Sequence, residues 1–173
     1  MTVRRTVVIT PVLLAACGAP ANDSPWLTPD ALGADTWGHV CGTQRIPSFV
    51  DPRFPDANDV VSWASSSEPG TGVRARCDVG VDKRTRRPTS LSVSVDWWTD
   101  RPVPLAATQP AIERVRAAAL AQVAPRYRPW VLLASMSTSG QATFALGEGY
   151  LVTGNYDLRH GGWGFAILPR AGH

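Results

Sequence analysis

Residues 155–162 form the most chemically varied stretch of the sequence and read Asn-Tyr-Asp-Leu-Arg-His-Gly-Gly. Apolar runs flank this stretch, so the pattern predicts a polar loop between two strands, and loops held on rigid strands often carry sites. Asp157, Arg159 and His160 offer an acid, a fixed cation and a group that titrates near neutral pH. Catalysis needs a further acid, base or nucleophile beside them, and the sequence places none. The three residues are therefore a candidate binding site, and a plain polar connection is the alternative.

No other arrangement in the sequence matches a known catalytic or ligand-binding motif. There is no G-x-S-x-G nucleophile elbow and no phosphate loop with a Lys-Ser or Lys-Thr pair. The three histidines, His39, His160 and His173, lack the i, i+4 spacing of a helical metal pair. We therefore expect no metal, no cofactor and no enzymatic activity.

The clearest periodicity lies in residues 73–98, where apolar and polar residues alternate on both sides of a turn at 83–88. Period-two alternation predicts a β-hairpin with one apolar side and one solvent-facing side. The solvent-facing side is expected to carry Arg74, Arg76, Ser92, Ser94, Asp96 and Trp98. A second candidate surface therefore lies on this hairpin.

Trp98 is the most informative of the seven tryptophans, because Trp97 and Trp98 are adjacent in a strand and must point to opposite faces. An exposed Trp98 would offer a platform for a sugar or a partner protein. It would otherwise pack on Arg74 or Arg76 across the hairpin, or be covered by another segment. Trp98, Arg74 and Arg76 are the candidate binding residues of this surface.

The hairpin has two pairing registers that keep its apolar residues on one side. In one of them Val79 lies opposite Leu91, which sets Arg74 opposite Asp96. In the other the pairing moves by two residues, and Arg76 faces Asp96 instead. Either register places a cation across from this carboxylate.

The N-terminus has the pattern of an export signal. Arg4 and Arg5 precede a short apolar run that small residues follow. The run is too short to span a bilayer, which needs about 20 apolar residues. Its end, the Leu-Ala-Ala-Cys sequence at 14–17, resembles the lipobox of bacterial lipoproteins. In that family the signal is cut before the cysteine, which receives a diacylglyceryl group, so the resemblance implies removal of residues 1–16 and lipidation of Cys17.

Two acyl chains hold a protein durably at a membrane, whereas one chain does so only marginally. The resemblance therefore implies a protein held by lipid at the extracytoplasmic face of the cell membrane. The adjacent Arg4-Arg5 pair also loosely resembles a twin-arginine export signal, which leaves the export route open. Small and polar residues at 17–25 predict a flexible tether, followed by one domain at 26–173.

Cys41 and Cys77 remain once Cys17 is lipidated. Two thiols in a small extracytoplasmic domain usually pair, and the spacing of these two does not suit a zinc site. We predict a disulfide between them that stabilises the fold by about 4 kcal/mol.

The charge of the chain argues against a nucleic-acid partner. Seventeen Lys and Arg against 14 Asp and Glu give a formal charge of +3, and two of the cations, Arg4 and Arg5, lie in the signal, which leaves +1. A surface so nearly neutral offers no broad attraction for phosphate backbones. We therefore expect an envelope protein or a glycan as partner.

The remaining patterns predict two helices. A short helix is expected at 36–41, with Asp35 as its cap and Gly42 at its end. A longer helix is expected between Thr108, its cap, and Pro125. Its buried stripe should contain Ile112, Val115, Ala119 and Val123.

Further strands are expected at 60–64, 130–136, 141–146, 150–153 and 163–168. Three prolines in 45–55 predict that this segment has no regular structure. Runs of strands around one main helix favour an α+β domain, in which an antiparallel β-sheet carries the helix on one face.

The layout loosely resembles small lipoproteins of GC-rich Gram-positive bacteria. We expect a non-catalytic binding or interaction module of the cell envelope. A cell-wall hydrolase or transferase with a site near 155–162 is the alternative. A pocket joining Asp157, Arg159 and His160 to another acid would favour the enzyme, and a flat face that bears Trp98 would favour the binding module.

Overall fold

A computed structural model describes residues 24–33, 35–50, 58–65, 72–97, 105–136, 140–157 and 162–170. Cys17 and the rest of the predicted signal lie outside the described residues, as do Trp98, Arg159 and His160. Ser24 is buried, and its hydroxyl donates a hydrogen bond to the carbonyl oxygen of Pro88.

Seven antiparallel strands form one sheet, in the order β1-β2-β3-β4-β7-β6-β5. The strands are β1 Gln44–Val50, β2 Asn58–Ala64, β3 Val73–Asp82, β4 Pro88–Trp97, β5 Gly140–Gly147, β6 Tyr150–Asp157 and β7 Gly162–Pro169. The helices are α1 Thr36–Cys41, α2 Leu105–Gln122 and α3 Arg128–Ser135, with 3-10 turns at Pro29–Ala31 and Pro125–Tyr127. The fold is therefore α+β with an antiparallel sheet, as predicted.

The core lies between this sheet and the helices. α1 packs on β2 and β3, α2 on β3 and β4, and α3 on β5, β6 and β7. The predicted stripe of α2 is confirmed, because Ile112, Val115, Ala119 and Val123 are all buried. Opposite them lie the central strands, whose Val79, Val93 and Val95 are inaccessible to solvent. Burial of such side chains is the main stabilising contribution to a fold of this size.

The hairpin of β3 and β4 adopts the predicted register in which Arg74 lies opposite Asp96. Val79 pairs with Leu91, and Arg74 pairs with Asp96. The carboxylate of Asp82 closes the turn by accepting hydrogen bonds from the backbone N–H groups of Arg84 and Thr85, and those from Thr85 hold the pKa of Asp82 below its usual value. This turn fixes which residues of the two strands face each other.

The disulfide between Cys41 and Cys77 is present and joins the last residue of α1 to the apolar side of β3. Their Cα atoms lie 5.6 Å apart, and both side chains are buried in the core. Gly42 follows with φ of 121°, and a Cβ there would lie 2.5 Å from the backbone of Ser65. The helix must therefore end in glycine for the chain to turn past β2.

The prediction that 45–55 lacks regular structure is wrong, because β1 occupies its first part. Pro47 lies within this strand, although proline cannot donate to a ladder. β1 is an outer strand of the sheet, and its pairing with β2 shifts between Ile46 and Phe49. Proline is tolerated in an outer strand because one side of that strand has no neighbouring strand that needs its backbone N–H.

The prediction of a strand at 130–136 is also wrong, because α3 occupies most of these residues. A short apolar run does not distinguish a buried strand from a helix by its period. Pro129 lies in the first turn of α3, where its missing N–H costs nothing. The guanidinium of Arg128 donates to the carbonyl oxygens of Val123 and Ala121, which ties the start of α3 to the end of α2.

Two predicted helix caps do not act as caps. α2 begins at Leu105, so Thr108 is an internal, buried residue of the helix. Pro110 is therefore inside the helix, in its second turn, where it cannot donate the usual backbone hydrogen bond to the carbonyl oxygen of Ala106. Asp35 precedes α1 as predicted, but its side chain makes no capping hydrogen bond.

We expect the double variant Cys41→Ala, Cys77→Ala to lose about 2 to 5 kcal/mol of unfolding free energy, because the crosslink no longer restricts the unfolded chain. Urea unfolding followed by tryptophan fluorescence measures this loss. Intact mass after alkylation should show that these two thiols of the wild type react only after reduction. Alkylation of the native, unreduced protein at Cys41 or Cys77 would contradict the assignment.

Candidate functional site

The face of the sheet opposite the helices carries polar side chains along its two central strands. Strand alternation places six of them there: Arg74, Arg76, Asp78, Ser92, Ser94 and Asp96. We call these six residues the polar face. All are half-buried, in contrast to the inaccessible valines that alternate with them. The hairpin therefore has the two unlike sides that its sequence predicts.

One end of the polar face is held by a charged hydrogen-bond network. Arg76 Nε lies 2.9 Å from Asp78 Oδ1. The Ser62 hydroxyl on β2 donates to the same oxygen at 2.5 Å, and Ser62 is fully buried. Hydrogen bonds to a charged partner are the stronger kind, so this carboxylate is held in one position. Ser62 was not among the predicted site residues, because its strand was too short to show which face it occupies.

Asp96 on β4 is the second carboxylate of the polar face. The Ser94 hydroxyl donates to Asp96 Oδ2 at 3.1 Å. Burial raises the pKa of Asp96, while the Ser94 hydrogen bond and the charges of Arg76 and Arg74 oppose that shift. The pKa of Asp96 is therefore higher than that of an ordinary aspartate, so Asp96 takes up a proton more easily.

Arg74 lies across from Asp96 in the strand register. Its Nε atom is buried and has no hydrogen-bond partner within the described part of the chain. A buried donor without an acceptor costs about 1 to 3 kcal/mol, a cost that a bound water, ion or ligand would remove. Arg74 is therefore the strongest single indication of a binding site.

β7 adds two glycines beside these charges. Gly162 lies opposite Asp96 and Gly164 lies opposite Ser94. We call these two residues the glycine strip. A Cβ atom at Gly162 would lie 3.5 Å from Asp96 Oδ1, so glycine leaves the side of this carboxylate open. At Gly162 the absence of a side chain lets a ligand approach the backbone of β7 closely, whereas at Gly164 a Cβ would lie 2.6 Å from the carbonyl oxygen of Val93.

The register of the sheet brings the two predicted candidate regions into one row. Arg74 of β3 pairs with Asp96 of β4, Asp96 with Gly162 of β7, and Gly162 with Asp157 of β6. We call this succession the charged row. Asp157 is thus a strand residue next to the polar face rather than part of a separate loop.

The loop predicted at 155–162 is correspondingly shorter, because β6 extends through Asp157 and β7 begins at Gly162. Gly154 and Asn155 are poor strand formers, which explains the early end predicted for β6. Glycine is required at 154 because a Cβ there would collide with the carbonyl oxygen of Ala134 in α3. The glycine that suggests a strand end in the sequence instead allows α3 to pack closely on β6.

The described residues contain no group of three His, Cys, Asp or Glu side chains that could hold a metal ion. Within the same residues, no helix is long and apolar enough to cross a membrane. No family model, curated protein or solved structure matches the chain. The polar face, the glycine strip and the charged row therefore form the candidate functional site of the described residues.

We expect Asp96→Asn to make stability less dependent on pH. Because burial raises the pKa of Asp96 above its usual 3.8, the folded state binds this proton more tightly than the unfolded state. Stability therefore falls as pH rises from that usual value through the raised one, and stays lower above it. The variant cannot ionise, so its Tm should exceed that of the wild type at neutral pH and match it more closely in acid.

Asp78→Asn is the matched control, since it makes the same chemical change on the neighbouring strand. It weakens the bonds to Ser62 and Arg76, so it should lower stability by about 1 kcal/mol at neutral pH. Thermal unfolding of all three proteins across acid and neutral pH gives the comparison. A lower neutral-pH Tm for Asp96→Asn would refute the assigned effect of burial.

Proposed function

We propose that the protein is a non-catalytic binding module of the cell envelope, held by lipid at Cys17, and that the polar face takes its ligand. The observation that supports this most is the buried Nε of Arg74, which has no partner in the described residues and lies in the charged row beside Asp96. A ligand that supplies an acceptor to Arg74 and a donor to Asp96 would satisfy both groups.

A glycan suits this arrangement best. Sugar hydroxyl groups donate and accept hydrogen bonds, as the Asp, Arg and Ser side chains of the polar face require. The glycine strip gives a flat, narrow approach along β7. A protein segment that offers backbone carbonyl and N–H groups is the other ligand of matching chemistry.

The position of the charged row fits a protein held at its N-terminus. Ser24 is bonded at the start of β4, whereas Asp96 lies near the end of that strand. At about 3.3 Å per residue the two ends are roughly 26 Å apart. The chain from Cys17 to Ser24 reaches at most about 25 Å. A lipid at Cys17 would thus keep the Ser24 end near the membrane and leave the charged row at the far end of the sheet.

A cell-wall hydrolase or transferase is the second candidate, and one observation favours it. Asp96 of β4 has a pKa raised by burial, and the register places Asp157 of β6 two strands away, with Gly162 of β7 between them. Glycoside cleavage uses a pair of carboxylic acids, and these two residues are paired with the same residue of β7. Release of new reducing ends from the glycan distinguishes the two functions.

We expect Arg74→Gln to weaken binding of soluble cell-wall glycan fragments about tenfold or more, because the ligand loses a charged donor. Isothermal titration calorimetry measures the affinity. Arg84→Gln is the matched control, since it removes an equal charge from the exposed hairpin turn far from the charged row. Equal loss in the two variants would show only a general charge effect and would contradict the assigned site.

Release of new reducing ends from the glycan by the wild type, and its loss in Asp96→Asn, would favour the hydrolase. If the glycan is neither bound nor cleaved and a peptide segment binds at the same residues, the ligand of this site is a protein. Neither result would disturb the fold assignment.

We expect Cys17→Ser to leave the protein either soluble or uncut, since serine carries no thiol to be acylated. Cell fractionation and intact mass of the recovered protein test this. A variant that remains in the membrane fraction at the mature mass would overturn the lipid anchor without affecting the polar face.

A further inference from the structure

α3 is apolar on its solvent side as well as on its buried side. It packs Val131, Ala134 and Ser135 against the sheet. The exposed large hydrophobic residues of the described chain lie on α3 or directly after it. They are Trp130, Leu132, Leu133 and Met136, which are 45%, 38%, 52% and 56% exposed. We call these four residues the α3 patch. A helix that is apolar all round is normally covered all round.

The outer strand β5 lies directly beside this patch. The rings of Trp130 and Phe144 are 6.1 Å apart, and the chain that leaves Met136 enters β5 at Gly140. β5 pairs only with β6 within the described residues, so about half of its backbone N–H and C=O groups face outward. The uncovered apolar surface and the uncovered strand edge are therefore continuous.

The two outer strands of the sheet differ in how their edges are protected. β1 contains Pro47 and a shift in its pairing, both of which hinder the addition of another strand. β5 reads Gly-Gln-Ala-Thr-Phe-Ala-Leu-Gly and has no charged residue and no proline. Natural sheets rarely leave such an edge free, because it pairs readily with another strand.

We propose that β5 pairs antiparallel with β5 of a second copy of this chain, and that the two α3 patches meet across the two-fold axis. Antiparallel pairing of one strand with its own copy is symmetric, so each copy supplies the same surface and the assembly closes as a dimer. The Arg126–Glu148 ion pair at the turn after β5 is 3.1 Å long and neutral overall, so this end brings no net charge to the contact.

The area agrees with a dimer of moderate affinity. The exposed parts of the α3 patch amount to about 350 Å² of apolar surface on each copy. Pairing along β5, about 26 Å long, covers roughly 250 Å² more on each copy. Two copies together therefore bury about 1,200 Å², the lower bound of specific interfaces. A lipid surface would cover the patch but would leave the polar edge of β5 without partners in an apolar medium.

Sedimentation velocity of the chain from residue 17, carrying Cys17→Ser so that no acyl group is attached, tests the dimer. We expect the protein with the wild-type surface to be dimeric at a protein concentration of about 100 μM, because this concentration is well above a dimer Kd in the micromolar range. Leu133→Lys in the patch and Thr143→Lys on the exposed side of β5 should each weaken it at least about 30-fold. Hydrogen exchange of the 141–146 amides should slow as the protein concentration rises, and only for the wild-type surface.

Ala117→Lys is the matched control, because it adds the same charge to an exposed position of α2 away from the patch, and it should leave the dimer intact. Circular dichroism verifies that all variants are folded. A protein that is monomeric at every concentration, or a dimer that survives both substitutions, would overturn the proposal. So would a monomer that binds phosphatidylcholine–phosphatidylglycerol vesicles and loses this binding on Leu133→Lys, since the patch would then contact lipid.

Discussion

The pairing register of β3 with β4 is the constraint on which the rest of the structure depends. Because side chains alternate between faces, a slip of one residue would move every valine of the hairpin out of the core and every charge of the polar face into it. The register with Val79 opposite Leu91 also sets Arg74 opposite Asp96. Core packing and the candidate binding site are thus two consequences of the same backbone hydrogen bonds.

The disulfide supports this register from the helix side. Cys77 lies on the apolar face of β3 and Cys41 ends α1, so the bond holds a short helix on the two strands beneath it. A helix of this length has little stability of its own, because forming its first turn is unfavourable. The disulfide and burial together hold α1 in place. α1 therefore covers β2 and β3 more firmly than packing alone would allow.

Local patterns in the sequence were sufficient for the hairpin, for α1 and for the buried stripe of α2, since alternation and helical spacing report directly which side chains are buried. They were insufficient wherever distant contacts decide the local structure. Pro47 is compatible with a strand only because that strand is at an edge. Gly154 suggests the end of a strand in the sequence, but glycine is required there because the backbone of α3 lies against it. The run that forms α3 has no period to distinguish helix from strand.

The charged row could not be read from the sequence for a related reason. Its members lie on β3, β4, β7 and β6, and it exists only because β7 is inserted between β4 and β6. The sequence identifies Arg74 and Asp157 separately but does not give the order of the strands that join them. Glycine at 162 acquires its meaning from that order, since it is the residue that lies between Asp96 and Asp157. A side chain there would occupy the space beside the Asp96 carboxylate, so the open strip and the strand order depend on one another.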